Sequence, residues 1–455
     1  MSRIWCVTTS IGHWLRQELG FNRAAARGAN ATMNWIVADQ LLVSGTNFMT
    51  GVLLARALGV EAFGVFSLAW LVLLFMQSLQ HAMVFSPMMS LGPKQRGGET
   101  APYYAAVAMH QMALCVIFGV CVMLILPLER SLGLRWMQAN VVVALAICVV
   151  VVQCYEFLRR YNFVIQRPRT VFLNDLLRNG LQLTTLTVWS IYGPRVGVAG
   201  VLLAIAVCST MGILAFLRSA PPLLSDLRGV RMIVNRHVHF SKWLVGSALL
   251  QWTTANFIVV ASGVLLGPVA VGALKASQTL VGVTHVFFQA ADNVLPVHAA
   301  RIYEVGGQQA LRAFMMRLFL VGGSGTALVC LALAIPARQW LTLLFGQGYA
   351  EYSLVVVGFA CAYFLLACTM PLRFAFLAME KTRPIFIGYI FSTIFTLFAF
   401  YPLIQLFGIY GAVSGIAITE AIMLIVLLVH YRKNFGKHNK VRLAPEAEPL
   451  HDNQS

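Results

Sequence analysis

Six polar or small residues recur at helical spacing inside one apolar stretch of the sequence. The intervals are 3, 4, 3, 4 and 3 residues, and the set is Lys275, Gln278, Gly282, His285, Gln289 and Asp292. This spacing places all six on one face of an α-helix. A charged group at the centre of a bilayer costs roughly 2.5–3.5 kcal/mol on insertion scales, so it normally faces a water-filled cavity or a partner. The pattern predicts a helix with one wet face that can attract anions or exchange protons.

Three other apolar stretches carry polar residues at matching positions. They contain Ser67, Trp70, Gln77 and His81 in one stretch, Gln40, Ser44 and Asn47 in a second, and Ser247, Gln251 and Thr254 in a third. Gln, Ser, Thr and Asn also form routine hydrogen bonds between neighbouring membrane helices, which is the alternative interpretation. Taken together, the four faces favour a polar cavity lined by all of them.

Carboxylates within apolar stretches are candidates for coupling to protons or cations. Asp39, Asp292 and Glu420 are the three candidates. For Asp39 the alternative is a structural cap near the start of its helix, and for Glu420 it is pairing with another helix. Asp175 and Arg178 are three residues apart, which predicts a local ion pair on one helix instead.

Motifs for metal or cofactor chemistry are weak in this sequence. His237 and His239 form an HxH pair without a third ligand, and the nine Cys include no CxxC pair. Paired carboxylates and a nucleophile motif are also missing from the sequence. We therefore expect no cofactor, no metal site and no enzymatic activity.

The composition requires that these residues be carried by membrane-spanning helices. Of 455 residues, 59% are hydrophobic and 11% are charged, against about 25% charged in soluble domains. Runs of about 20 apolar residues span a bilayer as helices. Twelve spans are predicted, at Trp35–Leu58, Phe63–Leu91, Tyr103–Leu126, Met137–Phe157, Val171–Tyr192, Val196–Leu217, Trp243–Leu266, Val269–Val297, Leu311–Ile335, Tyr352–Met379, Pro384–Phe407 and Ile409–Tyr431.

The distribution of basic residues predicts the orientation of these spans. Of the 33 Lys and Arg residues, 25 fall on the side that holds both termini and five on the other side. The positive-inside rule then places both termini in the cytoplasm, which requires an even number of crossings. The net charge of +17 is thus a topology signal, and nucleic-acid binding is not expected. An N-terminal segment 1–34, a basic linker 218–242 and a tail 432–455 are all predicted to be cytoplasmic.

The two halves of the sequence form an internal repeat. Residue pairs recur in order at offsets that rise from 208 to 215, among them Gly59 with Gly267, Pro87 with Pro296, Pro127 with Pro336, Arg159 with Arg373 and Gly193 with Gly408. Six spans per half is an even number, so both halves enter the membrane in the same direction. We expect an all-α polytopic membrane protein, with two six-helix bundles at 35–217 and 243–431 related by a parallel repeat around a central cavity.

The stretch LLARALGVEAFGVFSLAW, Leu53–Trp70, resembles the junction of the first two spans in bacterial polysaccharide-export flippases. These flippases belong to the multidrug/oligosaccharidyl-lipid/polysaccharide (MOP) flippase superfamily. The twelve spans and the repeat are similar to that family as well. The resemblance implies a multi-pass protein of the bacterial inner membrane, whose cavity is lined by spans 1, 2, 7 and 8.

The family implies a flippase that moves undecaprenyl-pyrophosphate-linked oligosaccharide units by alternating access, for lipopolysaccharide or exopolysaccharide synthesis. Arg56 matches the arginine of the family motif. Membrane lipids, a polysaccharide polymerase and a chain-length regulator are the implied partners. The alternative is a cation-coupled multidrug exporter of the same superfamily. The predicted substrate-cavity residues are Arg56, Trp70, Gln77, His81, Lys275, Gln278, His285 and Gln289.

Overall fold

A computed structural model describes residues 23–95, 99–132, 138–192, 197–217 and 230–441 of the chain. Much of the predicted N-terminal segment, half of the predicted linker and most of the predicted tail lie outside these residues. The described part is almost entirely helical and contains no strand, so the all-α prediction is confirmed. The helices are α1 Arg23–Gln80, α2 Ser86–Leu91, α3 Thr100–Met123, α4 Ile125–Leu132, α5 Ala139–Val164, α6 Pro168–Tyr192, α7 Val198–Phe216, α8 Val230–Leu266, α9 Pro268–Val281, α10 Val283–Ala334, α11 Ala337–Phe345, α12 Ser353–Ala378 and α13 Arg383–Val441.

Eight helical stretches in the described residues are long and apolar enough to cross a membrane. Two of them, Asn34–Lys94 and Arg383–Lys433, contain 61 and 51 residues. A bilayer core about 30 Å thick needs only about 20 helical residues, so each of these two stretches covers two predicted spans. The remaining predicted spans correspond to α6 and to α9 with the start of α10, which are shorter or more polar. The chain is a polytopic all-α membrane protein.

Glycines in the left-handed region of backbone space divide the longest helices. Gly59 (φ 75°, ψ 175°) interrupts α1, and Gly408 (φ 56°, ψ −133°) interrupts α13. Gly267 between α8 and α9 has φ 86° and ψ 178°. Gly59 and Gly267 are partners in the sequence repeat, and they share a conformation that is essentially restricted to glycine. The repeat therefore extends to the backbone of the turn that joins the first two spans of each half.

The chain divides into two compact units, Met1–Leu249 and Leu250–Ser455. In the N-terminal unit α5 packs against α3 and α7, and α6 packs against α1 and α7. In the C-terminal unit α12 is central and packs against α9, α10 and α13. The boundary between the units falls inside α8. The bundle limits 35–217 and 243–431 stay predictions.

Candidate functional site

A buried ion cluster joins three helices of the N-terminal unit. Arg159 on α5 donates from Nε to Asp175 on α6 and from a terminal nitrogen to Asp39 on α1, both at 2.6 Å. These side chains are almost inaccessible, with relative exposures of 8% for Arg159, 1% for Asp175 and 2% for Asp39. Glu156 approaches the same guanidinium at 3.6 Å. The planar guanidinium suits this role because its several donors can serve different carboxylates at once.

The predicted pair between Asp175 and Arg178 is wrong. Asp175 accepts hydrogen bonds from Arg159 and from the hydroxyl of Tyr155, whereas Arg178 donates to Ser209 and to Asn179. The predicted fourth span ends at Phe157, but α5 continues to Val164 and holds Arg159 inside the unit. The sequence misleads here because the partners come from helices far apart in the chain.

The six residues at helical spacing between Lys275 and Asp292 are called the polar stripe below. Its cation, Lys275, lies on α9 in the C-terminal unit. Lys275 is half-buried and donates from Nζ to Oε1 of Gln278 at 2.8 Å. The side chain of Gln278 also lies near the hydroxyl of Tyr363 on α12. Within the described residues, Lys275 forms no ion pair with a carboxylate. Its charge is therefore held in place by a neutral amide and remains available to an anion.

The polar stripe continues past a break in the helix at Gly282. The turn residue Gly282 separates α9 from α10, and its carbonyl oxygen accepts a hydrogen bond from the backbone nitrogen of His285 at 2.9 Å. His285 is exposed, and its ring centroid lies 6.4 Å from that of Tyr363. Farther along, Gln289 is half-buried and Asp292 is exposed. Lys275 and Gln278 are thus packed against α12, while His285 and Asp292 are open to their surroundings.

The predicted cavity residues of the N-terminal unit lie on the first and second predicted spans. Arg56 is exposed in the last turn before Gly59, Trp70 is half-buried and stacks on Phe66, and Gln77 is half-buried. His81 is exposed in the second half of the second predicted span. At 1.5 Å per residue, Gly59 and His81 are about 30 Å apart along the helix. Arg56, near Gly59, and His81 therefore lie far apart in this unit.

His81 opens a single π-helical turn, His81–Phe85, which precedes α2. Pro87 in α2 has no N–H and cannot donate to the carbonyl of Met83 four residues earlier. The hydroxyl of Ser241 on α8 donates to that carbonyl instead, at 3.4 Å. The hydroxyl of Ser86 lies 3.2 Å from Nδ1 of His81. π-turns of this kind are frequent at functional sites.

A polar cavity of about 60 Å³ lies in the C-terminal unit. Its charged members are Arg373 on α12 and Glu420 on α13, and hydroxyls of Thr254, Ser392 and Thr419 also line it. Glu420 has no cationic neighbour in the sequence, yet the fold brings Arg373 within electrostatic range of it. The two side chains form no direct ion pair, and Nε of Arg373 is buried without a hydrogen-bond partner. The sequence repeat relates Arg373 to Arg159, but no local pattern links Arg373 to Glu420.

A second cavity of the C-terminal unit is apolar and has a volume of about 310 Å³. It lies between α10 and α12 and is lined mainly by aliphatic and aromatic side chains, among them Phe287, Leu318, Met370 and Phe374. Burying a phosphate or a sugar in such surroundings is unfavourable without polar partners. This cavity therefore suits hydrocarbon.

No protein-family model matches the sequence, and no curated protein matches it significantly. Solved structures do match. An inward-facing multidrug resistance MATE family transporter of the MOP superfamily aligns over 88% of this chain and 96% of its own, with a TM-score of 0.65 and 16% identity. The lipid II flippase MurJ, in an inward closed conformation, aligns over 87% and 88%, with a TM-score of 0.59 and 12% identity.

A eukaryotic MATE transporter aligns over 91% of this chain and 99% of its own, with a TM-score of 0.56 and 14% identity. The chain shares the fold of these three proteins. Because the identities are low, the similarities concern the fold alone. The resemblance of the sequence to the MOP flippase superfamily agrees with this fold, and its polysaccharide branch stays a prediction. Whether the predicted substrate-cavity and ion-coupling residues act together also stays a prediction.

Proposed function

We propose that this chain is a flippase that moves undecaprenyl-pyrophosphate-linked oligosaccharide units across the bacterial inner membrane for surface polysaccharide synthesis. The fold is shared by a lipid II flippase and by multidrug transporters. Transporters built from two repeats bind their substrates near the bilayer midplane and expose them to alternate sides. In this chain both termini face the cytoplasm, and coupling to an ion gradient drives the cycle.

The proposal rests mainly on the surroundings of Lys275. A half-buried ammonium that has no carboxylate partner among the described residues, anchored by Gln278 at 2.8 Å, is poised to bind an anion. A pyrophosphate that leaves water needs cationic and hydrogen-bonding partners, and charge-assisted hydrogen bonds are the strongest available to it. Arg56, which is exposed, adds positive charge along its route, and the exposed imidazoles of His81 and His285 add hydrogen-bond donors.

The remaining predicted cavity residues suit the sugar part of such a substrate. Trp70 offers a ring face for stacking on a sugar, and Gln77 and Gln289 offer amides for its hydroxyls. The polyprenyl tail stays in the lipid, so its movement between the leaflets exposes no hydrocarbon to water. Partners are the lipid-linked substrate, membrane lipids and, as the family resemblance implies, a polymerase and a chain-length regulator.

A multidrug exporter is the second candidate, because two of the solved structures described above are MATE transporters. An exporter of cationic drugs needs an accessible acidic group in its binding pocket. Asp39 is buried and paired with Arg159, and the stripe on α9 carries a cation. Asp292 is the accessible acid of the stripe, so it is the residue on which this second function would depend.

The deciding experiment is a clean deletion in the native bacterium, followed by composition analysis of surface and inner-membrane glycans. Loss of one surface polysaccharide, with its lipid-linked repeat unit accumulating in the inner membrane, supports the flippase and identifies the cargo. Unchanged glycans together with increased drug susceptibility support the exporter and refute the flippase. Complementation with the wild-type gene controls for effects on neighbouring genes.

A further inference from the structure

The internal repeat relates two arginines whose surroundings differ. Arg159 on α5 and Arg373 on α12 correspond at an offset of 214 residues. At the same offset Asp175 corresponds to Tyr389. The polar residues Gln40, Ser44 and Asn47 match Ser247, Gln251 and Thr254 at an offset of 207, and at this offset Asp39 corresponds to Gly246. Both carboxylates that neutralise the first arginine are therefore replaced by uncharged residues around the second.

Among the described residues, one carboxylate lines the cavity beside Arg373. It is not the repeat counterpart of Asp39 or Asp175. Glu420 lies on the second half of α13, beyond the kink at Gly408, and faces Arg373 across the polar cavity. The cavity of about 60 Å³ has room for at least one water molecule. The N-terminal cluster is closed by two ion pairs at 2.6 Å, whereas Arg373 and Glu420 line a cavity without contacting each other as an ion pair.

We propose that Glu420 and Arg373 form the proton-coupling site of this chain, an inference that rests on the proposed function as an ion-driven transporter. A proton from water on one side of the membrane binds a carboxylate oxygen of Glu420 and gives a neutral carboxylic acid. The same proton leaves to water on the other side later in the cycle, which restores the carboxylate. Atoms and charge balance because one proton is taken up from one side of the membrane and one is released on the other side.

Protonation of Glu420 removes the counter-charge of Arg373. An unpaired guanidinium inside a membrane is costly, so the C-terminal unit then favours an arrangement in which Arg373 reaches water or another anion. Arg159 experiences no such change, because two carboxylates contact it directly. The asymmetry makes the C-terminal unit the one whose conformation responds to protons.

The other groups around the cavity favour a proton over a metal ion. The hydroxyls of Thr254, Ser392 and Thr419 already donate their hydrogens to the carbonyls of residues 250, 419 and 415. Each hydroxyl thus presents lone pairs that can accept from protonated Glu420 or from Arg373. Besides Glu420 and Arg373, the only titratable group that lines the cavity among the described residues is the phenol of Tyr389. A single carboxylate beside a guanidinium is a poor site for sodium because the guanidinium repels the ion.

One face of α12 connects this site with Lys275. Tyr363, Leu366, Met370 and Arg373 are spaced 3, 4 and 3 residues apart, which aligns them on one side of the helix. Tyr363 lies near Gln278, the partner of Lys275, and Arg373 lines the cavity that holds Glu420. A movement of Arg373 along this face can therefore reach a side chain beside the proposed phosphate site.

The test is an infrared titration of the purified full-length chain in liposomes without substrate. Lowering the pH should produce a carboxylic-acid band that is lost in Glu420→Gln and kept in Glu304→Gln, which changes an exposed glutamate of α10. In Arg373→Gln the band should persist to more alkaline pH, because the guanidinium that favours the carboxylate is gone. This variant keeps the test valid if Glu420→Gln fails to fold.

A band that is unchanged in both variants would overturn the proposal, and so would a band that responds to sodium instead of pH. The second readout is glycan export in a complemented deletion strain. Glu420→Gln should reduce export at least tenfold while Glu304→Gln restores it fully. The two hypotheses fail separately: unchanged glycans in the deletion strain refute the flippase, whereas a missing Glu420 band refutes the proton site alone.

Discussion

Replacing Arg159 by Met should strongly destabilise the N-terminal unit. The change leaves the carboxylates of Asp39 and Asp175 buried, at 2% and 1% exposure, without the cation that each now contacts at 2.6 Å. Breaking a buried pair by removing one partner costs about 3–5 kcal/mol. That range lowers the ratio of folded to unfolded protein by roughly 10²–10³·⁵-fold. For domains of about 150–250 residues it lowers the melting temperature by about 6–20 °C.

The assay is thermal unfolding of the detergent-solubilised chain, followed by size-exclusion chromatography with fluorescence detection. The triple variant Arg159→Met, Asp39→Asn, Asp175→Asn should recover most of the lost stability, because buried ionic groups replaced by neutral ones are often tolerated. The control is Arg178→Met, which removes hydrogen bonds to two neutral side chains and should cost only about 1–3 kcal/mol. Equal melting temperatures for wild type and Arg159→Met would refute this account of the cluster.

Three further predictions concern single residues. Lys275→Ala should abolish glycan export without loss of expression, while Lys275→Arg retains part of it, as measured in the complemented deletion strain. Tyr363→Phe removes the hydroxyl that lies near Gln278 and should slow export several-fold with unchanged thermal stability, measured by the same two assays. Gly59→Val should lower stability by about 1–3 kcal/mol because its φ of 75° is strained for a branched residue; Gly45→Ala, with a helical backbone and open space, should not.

Much of the fold follows from local patterns in the sequence. Apolar runs of span length predict helices because a bilayer leaves no other way to satisfy the backbone. The pairing of Gly59 with Gly267 predicted a repeat, and both residues have the same left-handed conformation. Such features are predictable because they depend on neighbours within one or two helical turns.

The partners of the buried charged side chains are harder to predict from the sequence. Arg159 pairs with Asp39, which is 120 residues away in the sequence. Arg373 and Glu420 line the same cavity only because α12 and α13 pack together. The proximity of Asp175 and Arg178 in the sequence suggested the wrong pair, because side chains in a packed bundle choose partners across helices. The signal that could have helped was the repeat itself, which already related the two arginines.

The π-turn His81–Phe85 has a consequence for how the length of this span can vary. A π-turn contains about one residue more than the α-helical turn it replaces. Deleting one residue within 81–85 should therefore convert the turn to α-helix and keep the register of both flanking segments. A deletion at 60–80 would instead rotate the two parts of the span by about 100° against each other. Natural relatives of this chain are thus expected to differ in length by one residue at this point sooner than elsewhere in the span.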